Sequence, residues 1–151
     1  MDQGAPDKPS TTTRVLIAVH GLVYARSLQD SLEQRGVAVS VWQLTPETPL
    51  DSDRALAAVD VLLVDADELS DAELSLVECA RERFPLVEIV ALSSNPGIEG
   101  AVQALRDGFY TILLYPVSDD ELTSVINDAC ARKRRGEQRI KDLESPRVRR
   151  P

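Results

Sequence analysis

Several residue types are scarce in this 151-residue chain, and each scarcity excludes something. There is one histidine, His20, and only two cysteines, Cys79 and Cys130. They make no C-x-x-C pair and no zinc-ligand spacing. Without a disulfide framework, both are expected to be reduced thiols in or near a core. Aromatics are 4% of the residues, and Trp42, Phe109 and Tyr110 are expected as packing or interface residues, not as a ligand cradle. No apolar run approaches the ~18 residues of a membrane span. The first residues, MDQGAPDKPSTTT, hold no apolar signal region, which points to the cytoplasm. There is no G-x-G-x-x-G after a strand, no nucleophile triad and no helix-turn-helix pattern. An enzyme is not expected.

Charge is present in quantity but divided. The formal net charge is -8. From Met1 to Cys130 there are 22 acidic and 8 basic residues, net -14; from Ala131 to Pro151 there are 3 acidic and 9 basic, net +6. An acidic body disfavours nucleic acid. The basic end reads as a helix extension followed by a solvated linker, with Arg132, Lys133, Arg134 and Arg135 suited to a helix C-terminus.

Apolar runs and helical stripes alternate along the body. Val15–Val19, Val37–Trp42, Val61–Val64, Val87–Leu92 and Ile112–Leu114 read as strands buried on both faces. Between them lie helical patterns, the first carrying Leu22, Ala25, Leu28 and Leu32 and closed by Gly36. The connection after the second strand reads as a loop and a short helix near Arg54–Ala58. Ser70 with Glu73, and Ser118 with Glu121, have capping-box spacing. Pro85 and Gly108 end helices, and Asn95-Pro96 begins one. Leu122, Val125, Ile126 and Ala129 form the inward stripe of the last helix. Alternation of this kind predicts an α/β fold: a five-stranded parallel sheet with helices on both faces. The expected organisation is a flexible lead over 1–13, a domain over 14–135 and a basic tail or linker over 136–151. Function is expected at the strand carboxyl ends: Val19-His20-Gly21, Trp42, Asp65-Ala66-Asp67, Ser93-Ser94 and Tyr115-Pro116. Asp65, Asp67 and Glu68 could gather a divalent ion, but loop acids are more often simply solvated, and neither metal nor cofactor is assigned.

These residues resemble the receiver domain of two-component response regulators. Val59-Asp-Val-Leu-Leu-Val-Asp65 is similar to the family's third strand, which ends at the phosphate-accepting aspartate. Ile89-Val-Ala-Leu-Ser-Ser94 is similar to the fourth, which ends in a switch hydroxyl, here Ser93. Ala104 to Val117 is similar to the stretch ending in the family's Lys-Pro, here Tyr115-Pro116. The resemblance implies a flavodoxin-like (βα)5 fold with strand order 2-1-3-4-5, and a Tyr115–Pro116 bond that is commonly cis in the family.

The phosphorylation site departs from the family. Two adjacent acids that would hold Mg²⁺ are Val19 and His20, followed by Gly21. The lysine that would pair with a phosphoryl oxygen is Tyr115, and the aromatic switch position is Ile112. Phosphoryl transfer develops negative charge that a metal and a cation must offset, and Mg²⁺ demands oxygen ligands. His20 is at best a weak substitute cation, though it could hydrogen-bond to Asp65. Tyr115 is expected to fill the vacated space with its ring and donate its hydroxyl locally.

The expectation is therefore a degenerate receiver, with Asp65 a vestigial acceptor. It would act through a protein partner or output domain, or as a homodimer through the fourth helix, fifth strand and fifth helix. Val102, Leu105, Ile112, Leu114, Leu122 and Ile126 are the candidates for that face. Two alternatives stand beside it: a phosphoryl-accepting regulator using Asp65 in an atypical site, and a small-ligand sensor at the strand ends.

Overall fold

The computed structural model describes residues 12–19, 22–42, 52–67, 71–94 and 97–144. Ten elements alternate. The strands are β1 (Arg14–Ala18), β2 (Ala38–Val41), β3 (Val61–Asp65), β4 (Glu88–Ser93) and β5 (Thr111–Leu114). The helices are α1 (Leu22–Glu33), α2 (Ser52–Leu56), α3 (Asp71–Arg83), α4 (Gly97–Arg106) and α5 (Asp119–Glu144). All neighbouring strands are parallel, in the order β2-β1-β3-β4-β5. The expected fold class and strand order are those observed.

Burial explains the composition of the strands. Every residue of β3 is buried, and β4 is buried from Ile89 to Ser93. A parallel sheet covered on both faces requires such continuous apolar runs. Alternate residues feed two cores. Val15, Ile17, Leu63 and Leu92 meet Leu28 and Leu32 of α1 and Leu122, Ile126 and Ala129 of α5. Leu16, Ala18, Leu62 and Ala91 meet Leu56 of α2 and Leu76, Val77 and Ala80 of α3.

Local signals set the element ends. Gly36 has φ 85° and Gly108 has φ 91°, left-handed values that a side chain resists. Each reverses the chain from a helix towards a strand. The Ser118 hydroxyl accepts the Glu121 amide at 3.0 Å, the serine half of the second capping box. Ser70 lies outside the described residues. Cys79 and Cys130 are both free thiols, the second buried in the core, and burial raises its pKa.

The last helix extends into the basic segment, as the helix-extension reading expects. It runs unbroken to Glu144, because the basic segment is partly structural. Lys133 is only 8% exposed, and its ammonium reaches Asp60 Oδ1 at 3.1 Å and Glu137 Oε2 at 2.8 Å. Asp60 Oδ2 accepts from Arg134 at 3.1 Å and from the Arg14 amide at 2.9 Å. Gly136 allows close approach: a Cβ there would stand 2.9 Å from Leu86 Cδ2. No helix among the described residues is long and apolar enough to cross a membrane.

Candidate functional site

Three strand ends build the site. β3 ends in Asp65, which is 6% exposed, and β4 ends in Ser93, which is 3% exposed. β5 delivers Tyr115, whose amide donates to the Ser93 carbonyl at 3.0 Å. The Tyr115–Pro116 bond is cis. The parallel register sets Asp65 beside Leu92 and Ser93 beside Leu114. Asp65, Ser93 and Tyr115 are thus brought together as expected. Val19 follows β1 and is half-buried against the α1/α5 core. His20 and Gly21 lie outside the described residues, as does any pairing of His20 with Asp65. Glu68 lies outside them too.

The centre of the site is Asp67. The Ser93 hydroxyl donates to its Oδ1 at 2.6 Å. The Ser94 amide and the Ser94 hydroxyl each donate to its Oδ2 at 2.8 Å. The bond to Ser93, then those to the Ser94 amide and hydroxyl, hold the Asp67 carboxyl below the ordinary carboxylate range. Its own amide donates to Asp65 Oδ1 at 3.0 Å, a two-residue Asx turn. Thus the loop acid read as merely solvated is anchored across β3 and β4. The adjacent serines were the only sequence signal, and in isolation they read as turn chemistry.

Tyr115 fills the site as its size suggests. Its ring lies 4.9 Å from that of Tyr24, tilted by 51°, an arrangement that suits two quadrupoles. Tyr24, on α1, escapes the apolar stripe by which that helix is read. Its hydroxyl is buried without a hydrogen-bond partner. Burial first, and then Tyr115, Asp65 and Asp67, push its pKa up to about 12. By resemblance, the Tyr115 phenol stands where the family places a lysine ammonium.

The proposed contact face needs correction. Leu122 is 1% exposed and Ile126 is fully buried. Both point into the core because they share the inward stripe of α5 with Ala129, so neither offers a surface. Ile112 is half-buried against the α2/α3 core. Val102 and Leu114 are exposed, at 42% and 56%. The Leu105 side chain lies outside the described residues.

Compared with known proteins, the architecture is the receiver fold of response regulators. One solved structure with this fold is a CheY-like response regulator receiver domain from Methanospirillum hungatei. It is 18% identical, matches with a TM-score of 0.66, and the match covers 83% of this chain and 98% of that one. The signal receiver domain of a Luxo repressor protein from Vibrio parahaemolyticus is 12% identical, with a TM-score of 0.69 over 89% of this chain and 98% of that one. An orphan response regulator of Helicobacter pylori gives 21% identity and a TM-score of 0.62, over 80% and 98%. Among curated proteins, an NtrX-like response regulator of Rickettsia conorii is 32% identical over 57 residues. That match spans 38% of this chain and 12% of the relative's length. No protein-family model matches the chain.

Proposed function

We propose that this chain is a receiver-like signalling module that works without phosphorylation, through contact with a partner, an output domain or a second copy. The observation that carries this reading is the capture of Asp67. By resemblance, Ser93 is the hydroxyl that would follow an incoming phosphoryl group, and Tyr115 occupies the position of its counter-cation. Ser93 already donates to a carboxylate of the chain itself. A phosphoryl group on Asp65 would have to displace that carboxylate. It would also add negative charge beside Asp67 with no lysine to offset it. The fold and these substitutions support a role in two-component signalling, in the cytoplasm, in which the site is held in one state. Exposed Leu114 and Val102 mark the side of α4 and β5 through which contact would be made.

The test is incubation with acetyl phosphate, or with beryllofluoride, in the presence of Mg²⁺. Intact mass, amide spectra and oligomeric state are then read. The expected result is no adduct on Asp65 and no change in spectrum or assembly. Stoichiometric modification that Asp65→Ala abolishes would overturn the reading in favour of a phosphoryl-accepting switch.

A further inference from the structure

At the opposite end of the sheet, near the amino ends of β4 and β5, lies a cleft of about 520 Å³. Its walls carry four guanidinium groups: Arg81 from α3, and Arg132, Arg135 and Arg139 from α5. One acid, Glu88, enters it and pairs with Arg132 at 3.0 Å. Among the described residues, Arg81, Arg135 and Arg139 form no ion pair. In a chain of net charge -8, this concentration of positive charge is out of keeping with the rest of the surface.

The pattern along α5 sharpens the point. Arg132, Arg135 and Arg139 are three and four apart, so they stack on one face and repel one another. The neighbouring Lys133 is balanced by Glu137. Two of the cleft arginines are held in place by aromatic rings. Arg81 lies over Phe109 at 5.5 Å, and Arg132 over Tyr110 at 5.6 Å. Such stacking fixes a planar fork before a ligand arrives. Gly136 sets the depth of the cleft, because its missing side chain brings α5 against Leu86.

We infer that this cleft binds a compact organic di- or triphosphate, its phosphates on the arginines and its uncharged part against Pro85 and Leu86. All four cations are arginine, whose fork matches phosphate oxygens bidentately. The volume is that of a small-molecule site. A polymeric nucleic acid is disfavoured: it needs an extended basic stripe, and the -14 body would repel its flanks.

Titration calorimetry of the full chain tests this, with inorganic pyrophosphate, a nucleoside diphosphate and a nucleoside triphosphate as probes. Saturable binding that weakens with salt is expected. The double variant Arg135→Ala/Arg139→Ala, shown by circular dichroism to be folded, should weaken it at least tenfold. Arg26→Ala, an exposed arginine on α1, should leave it unchanged. Absence of binding at millimolar probe, or binding insensitive to the double variant, would overturn the assignment. So would tighter binding of an oligonucleotide or an acidic peptide than of any of the three probes.

Discussion

Asp60→Ala removes the buried carboxylate at the head of β3 that pairs with Lys133 and Arg134 of the last helix. Asp60 is fully buried and Lys133 is 8% exposed, so the substitution leaves an ammonium in the interior. Breaking a buried pair by deleting one partner costs about 3–5 kcal/mol. The other cations around Asp60 add less. The Arg14 and Arg134 side chains are 47% and 28% exposed, and water replaces what they lose. Lys133 keeps Glu137 at 2.8 Å, which places the loss near the low end, about 3 kcal/mol. At roughly 2–4 °C per kcal/mol for a chain of this size, Tm should fall by roughly 6–12 °C. Differential scanning calorimetry reads this directly, and a Tm within about 2 °C of the parent would refute the reasoning. A second arm uses pH. Burial alone would raise the Asp60 pKa, but the Arg14 amide, Lys133 and Arg134 outweigh it, and the net shift is downward. The folded state therefore binds this proton more weakly than the unfolded chain. The stabilisation is complete above the unfolded value of about 3.9 and is lost as pH falls through the lower folded value. Urea midpoints of the parent should drop over that acid range, and those of Asp60→Ala should drop less. In a double-mutant cycle with Lys133→Met, a coupling energy indistinguishable from zero would mean that the pair is geometric only.

Four further outcomes are expected. Ile126→Ala should cost about 2–5 kcal/mol in urea titration, because it empties a fully buried core position, whereas Leu114→Arg should leave stability within about 0.5 kcal/mol and abolish any self-association seen by sedimentation. Tyr24 should ionise near pH 12 in a titration followed at the phenolate band; since its folded pKa lies above the unfolded value of about 10, its contribution is intact below pH 10 and fades between about 10 and 12. Gly108→Ala should destabilise by about 1–2 kcal/mol, because φ is 91° there and the added Cβ is strained whatever the space around it; a gain in Tm would show that the turn can relax.

The chain order of strands and helices was legible because a doubly covered parallel sheet leaves a distinctive trace. It forces unbroken apolar runs such as Val61–Val64, separated by helical stripes and capping residues. That Val19, His20 and Tyr115 stand where the resembled family has two acids and a lysine could also be read residue by residue, since identity alone decides whether a carboxylate or an ammonium can be present. Direction and partnership could not be read in this way. Leu122 and Ile126 read both as the inward stripe of the last helix and as candidates for a contact face, and packing decides for the first. Asp60 sits within the third-strand motif, and Lys133 lies 73 residues away in a run that reads as a solvated tail. Their pairing exists only after α5 has crossed the sheet. Asp67 likewise reads as one loop acid among several until β3 and β4 lie side by side and bring Ser93 and Ser94 to its oxygens. Short-range patterning thus determines the elements and the missing chemistry of this protein. Long-range apposition decides which charges are buried, which are shared and which are left facing an open cleft.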